Sequence, residues 1–269
     1  MIDRRREARL ELVLLAVVVV ALSRLVSGPP AWLVAALVLA MMVVGSLRVL
    51  GPDAARRSLE SVLTPAVAAI ACLGAMRLVP VGLAIVPALV AVGALVDASL
   101  ALEMRIRDRV KGATASDRTL LLALSVLLAF LAFTGVAALV PGGLVEPGPA
   151  GAPHVPLPET ALASLAAADA FVAFLLGHRL SALRTTRPRD ALVGAAGYAL
   201  AIAITAGLVR AAALPRLLGP ALLTLVFFLW DAFRGTEPAA RRDPRFIWQV
   251  ALLAVLGAVV VGWNLMLRG

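Results

Sequence analysis

The chain has few of the side chains that carry chemistry or coat a soluble fold. Its 269 residues include one cysteine, one tyrosine and two histidines, and charged residues make up 15% of the total. The lone Cys72 excludes both a disulfide framework and a thiolate metal cluster. A charged fraction this low is too small for the polar surface of a soluble domain, which typically needs about 25%. The composition therefore indicates a membrane environment.

Motifs of common enzyme classes are missing as well. The sequence has no H-E-x-x-H zinc motif, no P-loop lysine motif and no G-x-S-x-G nucleophile motif. Lys111, the single lysine, falls between apolar runs, which excludes a retinal Schiff base inside a bundle. His154 and His178 fall on opposite sides of the membrane in the topology derived below. We therefore predict no cofactor and no metal, and we favour a non-enzymatic function while leaving an enzyme open.

Apolar residues are what the sequence has in abundance. They make up 62% of the chain, and the mean hydropathy is +0.98. A transmembrane helix needs about 20 mostly apolar residues, and in hydrocarbon its backbone amides must bond within the helix. We predict an all-α, polytopic transmembrane helix bundle that forms one domain over residues 1–269. Its nine predicted spans lie near residues 10–28, 31–50, 59–79, 81–103, 119–144, 159–180, 190–213, 217–233 and 246–267.

The placement of arginine predicts the topology. Cytoplasmic loops of membrane proteins carry an excess of Lys and Arg. With the N-terminus in the cytoplasm, the inner segments hold 20 of the 25 basic residues, and every internal connection agrees with the alternation. We therefore predict a cytoplasmic N-terminus and a C-terminus outside. The proline- and glycine-rich residues 141–158 then form an outside loop, which is a connector or at most a lid over an outer vestibule.

The net charge of +9 also bears on the partners. The basic residues are spread over short connections rather than gathered on one face, so we predict no nucleic-acid binding. Membrane lipids are the expected partners, with anionic headgroups on the cytoplasmic side. Other membrane subunits or a second copy of the chain are further candidates. The abundance of Ala, Gly, Pro, Val and Arg, whose codons are rich in G and C, favours a bacterial plasma membrane.

One carboxylate interrupts the apolar run AAADAFVAFLLGHR at residues 166–179. Asp169 lies ten residues from both Glu159 and Arg179, about 15 Å each way, which places it near the bilayer midplane. A charge at the centre of a span costs about 2.5–3.5 kcal/mol on insertion scales. We predict either a proton or cation site, with Asp97 as an inner relay, or an intramembrane ion pair. The candidate partners for such a pair lie near the outer ends of other spans: Arg24, Arg77 and Arg210.

A second, weaker candidate site lies at the inner end of the sixth span. His178, Arg179 and Arg184 together are suited to contact a phosphate-bearing lipid headgroup. The alternative is an interfacial cluster that only follows the positive-inside rule, and this alternative is favoured.

The small polar inventory limits the function. A sugar carrier needs several hydrogen-bonding side chains, and this chain has one Asn and one Gln. We favour a proton- or cation-coupled carrier or channel for a small ion or a largely apolar solute. The alternatives are a non-catalytic scaffold or assembly subunit and, third, a lipid-modifying enzyme. A water-accessible cavity at Asp169 would favour transport, a dry bundle with Asp169 capped by arginine the scaffold, and an inner pocket of acids and arginines the enzyme.

Overall fold

Long helices make up the architecture of this chain in the computed structural model. The structure describes residues 2–26, 28, 30–50, 60–109, 113–140, 143–144, 157–185, 187–212, 214–215 and 217–266. It is 87% helix and contains no strand within these ranges. The predicted all-α class is therefore confirmed.

Nine long helices follow one another in the described part of the chain. They are α1 (Ile2–Leu22), α2 (Pro30–Leu50), α3 (Glu60–Ala75), α4 (Ile85–Arg107), α5 (Ala115–Leu139), α6 (Glu159–Ala182), α7 (Pro188–Ala211), α8 (Leu218–Gly235) and α9 (Pro244–Met266). Short 3₁₀ turns follow α1, α3 and α8, at Ser23–Leu25, Met76–Leu78 and Ala240–Arg242.

Eight of these helices, α2 to α9, are long and apolar enough to cross a membrane. The chain is thus a multi-pass membrane protein. α1 is not among the eight because arginines and glutamates occupy its first half. The predicted first span, residues 10–28, covers only the apolar end of a helix that begins at Ile2. That α1 crosses the membrane as the predicted first of nine spans stays a prediction. The orientation of the termini stays a prediction as well.

Local sequence signals explain where several helices begin. Proline occupies the first position of α2, α7 and α9, where the missing backbone N–H would have no helical partner. α5 begins with a capping box, in which Asp117 accepts from the backbone N–H of Thr114 at 3.0 Å and Thr114 Oγ1 accepts from that of Asp117 at 3.3 Å. The predicted outside loop, residues 141–158, lies outside the described residues except at 143–144 and 157–158.

α3 forms the centre of the bundle. It packs against α1, α2, α4, α5 and α6, and 72% of its most apolar stretch is buried, against 6% in α9. α6 and α7 pack along each other as a hairpin, whereas α9 packs mainly against α8. Large buried side chains such as Leu73, Phe133 and Tyr198 fill the interior. Many leucines and valines stay exposed, as expected where the helices face lipid.

Two glycines bring the backbones of α3 and α5 into direct contact. A Cβ atom added to Gly74 would lie 2.3 Å from Gly135 Cα, and one added to Gly135 would lie 2.8 Å from Gly74 Cα. Backbone atoms cannot move aside as a flexible side chain can. Membrane helices use such small residues to pack closely in the absence of a hydrophobic driving force.

We expect Gly74→Ala and Gly135→Ala each to lower the free energy of unfolding by about 1–3 kcal/mol, because the added methyl group forces the two backbones apart. The measurement is denaturant unfolding of the detergent-solubilised protein. Gly207→Ala is the matched control, since a Cβ there meets nothing within 4 Å. Alanine at that site should leave stability unchanged or raise it by up to about 1 kcal/mol. Equal stability of Gly74→Ala and Gly207→Ala would contradict the close crossing.

Candidate functional site

Asp169 lies in the middle of α6 and is fully buried. The Nη2 atom of Arg210 donates to Asp169 Oδ2 at 3.0 Å, and Nε donates to the same oxygen at 3.2 Å. Nη2 also donates to the backbone carbonyl oxygen of Phe133 on α5 at 3.0 Å. The Arg210 side chain is 5% exposed. A buried ion pair therefore ties α6 to α7 and reaches α5.

The directions of the two helices explain why these side chains meet. In an α-helix the Cα–Cβ bonds tilt toward the N-terminus. Asp169 on α6 therefore tilts toward the side where α6 begins, which is the predicted outer side. Arg210, in the last turn of α7, tilts back toward the predicted inner side. The two side chains point at each other across the α6–α7 hairpin.

The two other candidate partners of Asp169 do not reach it. Arg24 Nη2 donates to the backbone carbonyl of Val79 at 2.7 Å. Arg77 Nη2 donates to the carbonyl of Val26 at 2.6 Å. Each arginine thus holds the chain segment that follows the other one, and both lie at the end where α1 and α3 finish.

Asp97, the predicted inner relay, belongs to a different ion pair. Arg9 on α1 donates from Nε to Asp97 Oδ1 and from Nη2 to Oδ2, both at 2.5 Å. The Asp97 side chain is 39% exposed. No hydrogen bond between described residues joins Asp97 to Asp169, so the structure does not bring the two acids into one chain of contacts.

The three residues of the predicted headgroup contact diverge. Arg179 donates from Nε to Glu103 Oε1 at 2.9 Å and from Nη2 to Oε2 at 2.5 Å. Arg184 turns instead toward Asp231 on α8. The ring of His178 stacks on Phe174, with ring centroids 6.2 Å apart. The two arginines are thus engaged by carboxylates of the chain itself.

Glu103 is a buried acid that the sequence analysis did not single out. It is 0% exposed on α4 and also accepts a hydrogen bond from Thr64 Oγ1 on α3 at 2.6 Å. With Arg179 it joins α3, α4 and α6. Glu103 falls at the inner end of the predicted fourth span, where charges are ordinary. The one signal in the sequence was that Glu103, on the predicted fourth span, and Arg179, on the predicted sixth span, both lie at the predicted inner end.

A second cluster missed by the sequence analysis surrounds Asp231. Arg184 Nη2 donates to both carboxylate oxygens, at 2.8 and 2.7 Å, and the hydroxyl of Tyr198 donates to Oδ1 at 2.5 Å. Burial lowers the pKa of the Arg184 guanidinium, but the hydrogen bond and negative charge of Asp231 outweigh it, so the pKa is raised. The cluster ties the turn after α6 to α7 and α8.

Within the described ranges, five acids are thus held by arginines from a separate helix or turn. The fifth is Asp117 at the start of α5, whose oxygens lie 3.1 Å from Arg105 Nε and 3.0 Å from Arg109 Nη1. An unpaired charge in hydrocarbon costs several kcal/mol. The Glu103–Arg179 and Asp169–Arg210 pairs, in which both side chains are buried, remove that cost, and all five acids link separate elements of the bundle.

Two cavities between described residues are lined mainly by apolar side chains. A groove of about 260 Å³ lies between α2, α3, α5 and α6, and its lining includes Trp32, Ile70 and Phe171 but not Asp169. A second cavity, of about 310 Å³ between α8 and α9, contains no acid or arginine. Within the described residues, no group of three or more His, Cys, Asp or Glu side chains is placed to hold a metal ion. Asp169 lines neither of these two cavities.

Comparison with known proteins adds no assignment. No protein-family model, no curated protein and no solved structure matches the chain. Any function must therefore be argued from the geometry alone.

The Asp231 cluster can be tested with Tyr198→Phe, which removes the donated hydrogen bond and keeps the ring that packs on Phe227. We expect a loss of about 1.5–3 kcal/mol in unfolding free energy, because the lost bond went to a charged group. Thr205→Ala on the same helix is the control, since its hydroxyl bonds only to the carbonyl of Ala201. A Tyr198→Phe protein as stable as the native chain would show that this hydroxyl does not anchor the cluster.

Proposed function

We propose that this protein is a non-catalytic membrane component, a scaffold or assembly subunit whose helices dock other membrane helices. The observation that carries the proposal is the burial of Asp169 and its ion pair with Arg210. The acid is fully buried and capped by Arg210, and neither apolar cavity reaches it. A charge held in this way contributes to helix register rather than to the passage of an ion. We place the protein in a bacterial plasma membrane, with anionic headgroups on the cytoplasmic side.

α9 is the element best suited to present a docking surface. It packs mainly against α8 and exposes a run of large apolar side chains along most of its length. Among them, Leu252 is 68% exposed and Val255 and Val259 are each 58% exposed. The inner helices are locked together by ion pairs, whereas this peripheral helix is free to bind another helix along its open face.

The proposal predicts that the protein leaves the membrane as part of a larger complex. Native membranes would be extracted in a mild detergent, and the mass of the tagged protein would be measured against the 27.8 kDa of one chain. A scaffold gives a stoichiometric assembly well above that mass. The double variant Val255→Trp/Val259→Trp should dissociate it, because the added rings prevent close helix packing.

Leu33→Trp/Leu37→Trp provides the matched control, since these α2 side chains are 74% and 66% exposed on another side of the bundle. The control variant should keep the assembly intact. A native chain that is extracted only as a monomer would refute the scaffold proposal. An assembly equally sensitive to both variants would refute the role of α9.

A proton- or cation-coupled carrier is the second candidate, and one observation favours it. Asp169 lies near the predicted bilayer midplane, where ionisable groups are rare and often mark ion pathways. In such a carrier, binding of a proton or cation at Asp169 would release Arg210. The test is proton and cation flux in reconstituted liposomes, with Asp169→Asn compared to the native chain. Flux that is absent, or equal in both, removes this candidate.

A lipid-modifying enzyme, the third expectation, has the least support. It would need an open pocket of acids and arginines near the predicted inner side. Acids and arginines located there form ion pairs with each other, as Glu103 does with Arg179. No observation therefore argues for this reading over the first two.

A further inference from the structure

Arg24 and Arg77 form a positive pair that no acid of the described residues neutralises. Their hydrogen bonds go to backbone carbonyls, from Arg24 to Val79 and from Arg77 to Val26 and Ser23. One nitrogen of each guanidinium, Arg24 Nη1 and Arg77 Nε, has no acceptor. Both side chains are only part-buried. In lacking an acidic partner they differ from six other arginines of the described residues, each of which holds a carboxylate.

Uncompensated arginines at the edge of a membrane indicate an anionic ligand. Guanidinium groups match phosphate oxygens in geometry and charge. The pair lies at the ends of α1 and α3, where the predicted topology places lipid phosphates. Each guanidinium binds the segment that follows the other arginine, which brings both positive charges to the same end of the bundle, where an anion beside them would reduce their repulsion.

The apolar groove is lined in part by α3, which Arg77 follows, and by α2, which begins six residues after Arg24. Val67 and Ile70 of α3 line the groove, and Arg77 follows Ile70 by seven residues, about 10 Å along the helix direction. Val26, which accepts from Arg77, precedes α2, whose Trp32 borders the groove. The two arginines suit the phosphate headgroup of a phospholipid. The apolar groove suits one of its acyl chains.

We propose that Arg24, Arg77 and this groove bind one anionic glycerophospholipid. The two guanidinium groups hold the phosphate, and an acyl chain lies in the groove between α2, α3, α5 and α6. Trp32, which is 40% exposed, and Phe171, which is 54% exposed, flank this acyl chain. The site is separate from the α9 face, so this inference does not depend on the scaffold proposal.

The test is native mass spectrometry of the detergent-solubilised full chain with phosphatidylglycerol and phosphatidylcholine of identical acyl chains. We expect one retained lipid, with phosphatidylglycerol preferred. Arg24→Gln/Arg77→Gln should reduce that preference at least tenfold, because both charged contacts to the phosphate are lost. Ala36→Trp, which fills the groove from an exposed lining position, should reduce the retention of both lipids.

Controls separate this site from general attraction to charge. Arg48→Gln/Arg118→Gln removes two exposed arginines from the opposite side of the bundle and should leave the preference intact. Raising the salt concentration should weaken the phosphatidylglycerol preference of the native chain, because salt screens the attraction between the charges. Ala36→Trp keeps both arginines and therefore tests the site even if the double variant unfolds. Inorganic phosphate should compete weakly, since it lacks the chain that fills the groove. An unchanged preference in Arg24→Gln/Arg77→Gln, or equal losses in both double variants, would overturn the proposal.

Discussion

A charge in hydrocarbon must find a charge of opposite sign, and this constraint organises the bundle. The apolar helices contain few charged residues, yet Glu103, Asp169 and Asp231 are buried. Each of them is held by an arginine from another helix or turn. Removal of one partner would leave the other charge in a medium where it costs several kcal/mol. The pairs are therefore obligatory, and they decide which helices are adjacent.

Close packing between helices is the second interaction that holds the bundle together. Hydrophobic association does not select one apolar helix over another in lipid, so close contact has to come from shape and from hydrogen bonds. The crossing of α3 and α5 at Gly74 and Gly135 supplies the shape. The pairs that link α3, α4 and α6, and α5, α6 and α7, supply the bonds. Among the described residues, α9 takes part in neither this glycine crossing nor these pairs, and it packs mainly against α8.

The sequence predicted the helices well because hydropathy is a property of single segments. The predicted sixth span, 159–180, differs from α6 (Glu159–Ala182) only at its last two residues. Asp169 also stood out, since an acid amid alanines is visible without a structure. The choice of Arg210 over Arg24 and Arg77 depends on which helices are lateral neighbours, and no segment encodes that alone. Glu103 was missed for a related reason, because its depth became clear only once Arg179 lay opposite it.

The central claim is that Asp169 and Arg210 act as one neutral unit. A double-mutant cycle tests it directly, by measuring the unfolding free energies of the native chain, Asp169→Asn, Arg210→Gln and the double variant in lipid–detergent bicelles. We expect each single change to lower the free energy of unfolding by about 3–5 kcal/mol, and the double variant to be more stable than either single variant. Losses that simply add would show that the two side chains do not depend on each other.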